Sequence, residues 1–192
     1  MAEVSLPDGV FINWTDTNSQ YKPLSPEITK ILANHLEWLS DRTRGKKANL
    51  DNTNLHNVNL SGANLEGANL QSAYLYDANL SHAHLFSVNL MDADLTGADL
   101  RNANLGSAHL TGADLRYADL TDADLGSADL MDADLRYADL TCANLNYTYL
   151  TGALLLNANL SNANLEYADL TGTDLTGVIW SGANLEFAVG LE

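Results

Sequence analysis

The chain has 192 residues, a net charge of −16 and a single cysteine. That length is enough for one folded unit, the lone thiol excludes a disulfide framework, and the acidic balance disfavours direct contact with nucleic acid or an anionic membrane. MAEVSLPDGV lacks the basic start and apolar run of a secretory signal, and no apolar stretch approaches a membrane span, so a cytoplasmic protein is expected.

Residues 1–47 differ from the rest. They hold six basic and six acidic residues, whereas 48–192 hold three Arg and nineteen acids, so the excess negative charge lies wholly on the later segment. Val10-Phe11-Ile12-Asn13-Trp14 reads as a short strand. Ser25-Pro26 reads as an N-cap followed by proline at the first helical position. Ile28, Ile31, Leu32, His35, Leu36 and Leu39 then recur at helical spacing. Basic residues follow, and Gly45 stops the run. This spacing predicts a helix over about 26–41 with one apolar face. His35 and Trp38 invite a reading as a site, but packing on that face is the plainer expectation.

From Leu50 to Leu175 every fifth residue is leucine, with Trp180 and Leu185 in the next two slots, 28 positions in all. Two residues before each stands Ala, Thr or Val. On an α-helix a step of five advances about 140° past a full turn, which scatters the leucines around the axis. On a flat strand an odd step sends successive leucines to opposite faces. Both clashes vanish if the chain turns a corner every five residues. Leu (position i) and the small residue at i−2 then point inward, i−1 points outward, and i+1 and i+2 form the corner. Four corners close a coil of twenty residues. Coils stacked at the ~4.8 Å strand spacing make about seven coils and a rod ~30–35 Å long. The twenty-residue period is visible directly: Gly106–Leu125 and Gly126–Leu145 agree at 15 of 20 positions. Each coil of such a stack touches only its neighbours.

Units such as SGANLEGANL (Ser61 to Leu70) and TGADLRYADL (Thr111 to Leu120) resemble the A(D/N)LXX repeats of the pentapeptide-repeat family, over residues 48–189. The resemblance implies an all-β solenoid, a right-handed quadrilateral β-helix with an N-terminal α-helical cap. Its handedness comes from the family and from the general right-handed rule. HLEWLSDRTRGKKANL (His35 to Leu50) is similar to the leader that precedes the repeats in many members. The expected organisation is an extension and capping helix at 1–47, the β-helix at 48–189, and a tail or cloning remnant at 190–192. Ile28, Ile31, Leu32, Leu36, Trp38 and Leu39 are expected to cover the open end of the first coil, because a solenoid end must be capped.

Residues twenty apart stack in columns. One face reads Asn54, Tyr74, Asp94, Asp114, Asp134, Leu154, Asp174, and the next Asn59, Asn79, Asp99, Asp119, Asp139, Asn159, Ile179. The middle coils thus carry two adjacent carboxylate rows, Asp94, Asp114 and Asp134 beside Asp99, Asp119 and Asp139. Like charges at strand spacing repel; Arg116 and Arg136 are placed to relieve part of this, and Asn side chains toward the N-terminal end can bond along the stack. The plainest reading of the rows is a solubilising surface that also suits the A(D/N)L turn. One functional alternative is mimicry of a nucleic-acid backbone, whose phosphates repeat on a similar scale; some family members protect or inhibit DNA gyrase. Calcium is a third, but a flat column cannot wrap an ion that wants six to eight oxygens, so only weak binding is expected.

Tyr117 with Tyr137, and Tyr147 with Tyr167 and Phe187, form aromatic columns expected to brace neighbouring coils. Arg116, Tyr117, Arg136 and Tyr137 also have the composition of an interface hot spot. Toward the C terminus the outward slots turn apolar: Tyr147, Leu154, Leu156, Tyr167, Ile179 and Phe187 make a candidate dimer patch. Only seven residues follow Leu185, too few for a second helical cap, and an open edge invites a partner. The family resemblance also implies dimerisation through C-terminal coils, as in the members that act on gyrase.

No reaction is legible. His56, His82, His84 and His109 fall on different faces or distant coils, and no Ser-His-Asp or Cys-His set shares a face. Gly at i+2, as in Gly62, Gly97 and Gly112, serves corners with positive φ; the bulky Tyr at other i+2 slots suggests a different turn there. Cys142 falls at a corner and is expected to be exposed. The expected function is a non-catalytic protein-interaction scaffold with a rigid acidic surface, no cofactor and no metal, whose partner is another protein, basic or DNA-binding. The alternative is a DNA mimic that binds or inhibits a topoisomerase such as gyrase.

Overall fold

The computed structural model describes residues 20–191. The proposed strand at Val10–Trp14 and the final Glu192 lie outside the described residues.

α1 spans Pro26–Ser40. The Ser25 side chain accepts the Ile28 N–H at 3.2 Å, and Pro26 stands at the first turn where no N–H is needed. The helix ends at Asp41, whose carboxylate accepts the Thr43 N–H at 3.0 Å. Gly45 therefore lies beyond the helix end. It has φ +62, and a Cβ there would come 2.2 Å from the Asn34 carbonyl. Only glycine lets the chain fold back along α1, where the Lys46 N–H reaches the same carbonyl.

From Ala48 on, every i−1 residue from Asn49 to Asp169 pairs in parallel with the residue twenty positions later. The backbone of each five-residue unit is satisfied largely by the neighbouring coils. The Leu50 N–H donates to Asn69 at 2.7 Å, Asn52 to Gln71 at 2.9 Å, and Asn69 back to Ala48 at 3.0 Å, so three of the five amides join neighbouring coils. A fourth closes the corner, as in Ala68 N–H to the Leu65 carbonyl at 2.9 Å. Where i−1 is Asn or Asp, the fifth, at i+1, goes to its side-chain oxygen, as in Ser61 to Asn59 Oδ1 at 3.0 Å; units with Tyr74, His84, His109, Tyr149, Leu154 or Ile179 at i−1 have no such acceptor. The A(D/N)L motif follows from this accounting. Small residues and leucines stack inside, an Asx side chain closes the last donor, and two corner residues turn outward.

Every i+2 position from Asn52 to Phe187 has positive φ, including Tyr117 (60°), Tyr137 (62°), Tyr147 (57°) and Tyr167 (61°). This corrects the expectation that tyrosine corners use a different turn. The left-handed region costs an ordinary residue roughly 1–2 kcal/mol. The leucine stack and the inter-coil hydrogen bonds dictate one geometry for all corners, so the local preference yields. Cys142 stands at such a corner and is exposed.

The core is a continuous column. Every leucine from Leu50 to Leu170 in the i slot is 0–1% exposed. Leu32 of α1 joins it, and Leu24, Ile28 and Ile31 pack against it. Leu36 and Leu39 are half-buried. In the last units Leu175, Val178, Trp180, Ala183, Leu185 and Ala188 are only partly buried. No helix among the described residues is long and apolar enough to cross a membrane.

Candidate interaction surface

The two carboxylate rows lie on adjacent faces, each in register along the stack: Asp94, Asp114 and Asp134 on one, Asp99, Asp119 and Asp139 on the next. All six use Oδ1 for the turn, accepting the N–H of Thr96, Arg116, Arg136, Arg101, Thr121 and Thr141 at 3.0–3.2 Å. Their second oxygens are free for other work, and arginine takes much of it. Arg116 Nη2 donates to Asp114 Oδ2 at 2.6 Å, and its Nε lies 3.6 Å from Asp134 Oδ2 in the next coil. Arg136 Nη2 donates to Asp134 Oδ2 at 2.5 Å. Arg101 repeats the pattern with Asp99 at 2.6 Å and Asp119 at 3.6 Å. The side-chain hydrogen bond from Arg101 holds the Asp99 carboxyl below its ordinary range. At Asp114 partial burial pushes the carboxyl up, and the side-chain and backbone hydrogen bonds from Arg116 more than reverse it.

Sequence reading missed Arg101, although the same Asp-Leu-Arg spacing recurs at 99–101, 114–116 and 134–136. Asp94 and Asp139 make no ion pair among the described residues; Asp139 instead accepts from Thr141 Oγ1 and Asn159 Nδ2. The amide-to-amide bonds run on the other two faces, Asn89 to Asn69 to Asn49 and Asn184 to Asn164 to Asn144.

The corner between the acid rows carries Arg116, Tyr117, Arg136 and Tyr137. The two tyrosine rings stack with centroids 5.1 Å apart and planes 4° apart. The acidic rows and the Arg/Tyr patch therefore form one continuous surface. The candidate dimer residues do not. Leu154, Leu156 and Ile179 lie around this same corner farther along, whereas Tyr147, Tyr167 and Phe187 stack on the diagonally opposite corner at 4.8 Å per step.

At the N-terminal end His35 is fully buried, and its Nδ1 accepts the Ala48 N–H at 3.1 Å. Its ring stacks on Trp38, with the Arg42 guanidinium 3.8 Å over the indole. Burial, then the charges of Arg42 and Lys47, lower the His35 pKa to about 4. Nδ1 thus stays an acceptor at neutral pH, and the pair joins α1 to the first coil. No group of three or more metal-ligating side chains occurs among the described residues, at His82 and His84 or elsewhere.

The pentapeptide-repeat family model matches eight copies, over residues 48–85, 89–126, 128–166, 138–177 and 168–190. The chain belongs to the pentapeptide-repeat family. Its fold is accordingly a right-handed β-helix, and proteins of this family are in general non-catalytic. Among solved structures it is similar to HetL, a pentapeptide-repeat protein involved in heterocyst differentiation regulation in the cyanobacterium Nostoc sp. strain PCC 7120. The two are 34% identical over 73% of this chain and 80% of that one, with a TM-score of 0.48. Full-length QnrB1, a plasmid-mediated fluoroquinolone resistance protein, is 23% identical over 74% of this chain and 86% of its own, with a TM-score of 0.36. Rfr23 from the cyanobacterium Cyanothece 51142 is 26% identical over 82% and 98%, with a TM-score of 0.20. No curated protein matches the chain significantly.

Proposed function

We propose that this pentapeptide-repeat protein is a non-catalytic scaffold, acting in the cytoplasm, that docks another protein on the corner between its two acid rows. The observation that carries this reading is the tie between rows and corner. Arg116 binds Asp114 and reaches Asp134, Arg136 binds Asp134, and the Tyr117 and Tyr137 rings stack beside them. Arginine and tyrosine held rigid in one exposed place lose little conformational freedom on binding. The unpaired carboxylates around them favour a partner with a basic surface.

Mimicry of a nucleic-acid backbone, directed at a topoisomerase such as gyrase, is the second reading. The in-register pairing of Asp94, Asp114, Asp134 and of Asp99, Asp119, Asp139 favours it. The arginines count against it, since they neutralise charges that a phosphate mimic would leave bare.

In the same proposal 1–47 is a leader whose helix caps the β-helix of 48–189, and a second copy covers the C-terminal coils. The half-buried Leu175, Trp180 and Leu185 support that cover, in contrast with the sealed leucines before them. A sedimentation run showing only monomer at tens of micromolar would remove the second copy from the proposal.

The deciding experiment compares baits in a lysate of the source cell. One variant converts Asp94, Asp99, Asp114, Asp119, Asp134 and Asp139 to Asn; another converts Tyr117 and Tyr137 to Ala. Asn at i−1 supplies the same turn oxygen, as Asn59 and Asn64 do, so the first variant removes charge and keeps the fold. A partner lost only with the tyrosines supports the scaffold. A DNA-handling partner lost only with the aspartates, steeply salt-dependent and coupled to supercoiling inhibition, supports mimicry. Full retention by both variants rejects this surface.

A further inference from the structure

The corner between the acid rows carries two stacked pairs of planar side chains in neighbouring columns, one at i+1 and one at i+2. Toward the N terminus His56 and Tyr76 stack with centroids 4.7 Å apart, and toward the C terminus Tyr117 and Tyr137 stack at 5.1 Å. Between them stands Thr96-Gly97, which has no ring. Asp77 and Tyr117 occupy the i+2 slot one coil before and one coil after Gly97, so about 9.6 Å separates their levels at the strand spacing. A flat group at the level of Gly97 would lie ~4.8 Å from the level of Tyr117, the spacing at which the existing rings stack.

The gap is part of a concave site. A cavity of about 500 Å³ is lined by Tyr21, Tyr76, Asp77, Gly97 and Asp99 among others. Its wall is the segment before α1, fixed by the Lys22 N–H to the Asn57 carbonyl at 2.7 Å. Asp77 Oδ1 sits 2.7 Å from where a Gly97 Cβ would be, so a carboxylate leans into the space of the missing side chain. Asp77 makes no ion pair among the described residues. Asp99 is already held by Arg101. One coil on from Gly97, just beyond the cavity lining, Tyr117 is 61% exposed and its ring stacks only on Tyr137 among the described residues.

We infer that this notch receives an arginine side chain of the partner at the level of Gly97, its guanidinium face on Tyr117 and its N–H edge on the Asp77 carboxylate. A guanidinium is flat, stacks on aromatic faces and matches a carboxylate with two parallel N–H groups. A lysine ammonium has the charge without the plane. A neutral aromatic ring has the plane but leaves Asp77 without a counter-charge. The inference rests on the reading of a basic protein partner and gives that partner an anchor.

The test titrates the full chain with N-acetyl-arginine amide and with its lysine and citrulline counterparts, followed by amide NMR shifts. Arginine is expected to shift Asp77, Gly97 and Tyr117 at millimolar concentrations, lysine more weakly, and citrulline least. Gly97→Tyr fills the notch in a slot where Tyr117 and Tyr137 already adopt the same φ, its Cβ pushing the Asp77 carboxylate aside, and is expected to abolish the response. Asp77→Asn puts in that slot a residue that Asn57 and Asn157 show it accepts, and is expected to weaken arginine about tenfold or more. Equal response to lysine, no response to arginine, or an arginine response unchanged in Asp77→Asn overturns the inference. In the bait experiment, a partner kept by Gly97→Tyr but lost by the six-Asn variant overturns the notch and leaves the basic-partner reading standing.

Discussion

Arg116 Nε lies 3.6 Å from Asp134 Oδ2, a residue of the next coil, while its Nη2 holds Asp114 at 2.6 Å. One guanidinium thus relieves the repulsion between two carboxylates stacked at strand spacing. Arg116→Ala should restore that repulsion and lower the melting temperature modestly, because the side chains are partly exposed and screened by solvent. The loss should shrink as salt is raised from 20 to 500 mM. Asp114→Asn added to Arg116→Ala should recover most of it, and thermal melts across the salt series would check both points.

Core leucines set the scale against which such surface effects are small. Leu115 is fully buried in the middle of the column, and Leu115→Ala is expected to cost about 3–5 kcal/mol. Leu185, only partly buried near the end, should cost clearly less on the same change. A stack couples neighbours only, so amide exchange in Leu115→Ala should rise most in the adjoining coils. Equal destabilisation at the two sites would mean that the C-terminal coils are covered.

The corners carry a cost that the sequence hides. Ser107 has φ 55° and Tyr117 φ 60°, and glycine relieves the left-handed penalty of roughly 1–2 kcal/mol at either site, less its larger unfolded-state entropy. Ser107→Gly should therefore stabilise slightly. Tyr117→Gly gains the same backbone relief but loses the stack on Tyr137, about 0.5–1.5 kcal/mol. Denaturant melts of the two variants give the value of the ladder by difference.

The five-residue period made the architecture legible because it admits only one placement of leucine that keeps every copy inside. Corner conformation was not legible in the same way. Tyr117 and Asn52 have opposite local preferences but share one φ region, because inter-coil hydrogen bonds decide it. The Asx role of Asp99 and Asp114 was only half legible: the turn chemistry was expected, but its consequence, that one oxygen is occupied by the turn and the other is left for arginine, needed coordinates. Grouping by apolarity alone joined Leu154 to Phe187, whereas a twenty-residue register places them on different faces.

His35 gives the fold a pH dependence of its own. Its pKa is lowered from 6.5 to about 4 in the folded chain. Between those values the unfolded chain binds the extra proton, so stability is full above pH 6.5, falls as pH drops toward 4, and changes no further below that on this account. Asp99 and Asp114, whose carboxyls are held below their ordinary value of 3.8, contribute stability present above 3.8 and lost at lower pH. The two windows therefore separate. His35→Gln should flatten the decline between pH 6.5 and 4 and leave the drop below 3.8 in place, while lowering stability at pH 7 through the weakened link to Ala48. Because α1 is joined to the first coil through this histidine, amide exchange in wild type at pH 5 should accelerate first at α1 and Ala48–Leu55. Uniform acceleration along the stack would show that His35 does not hold that joint.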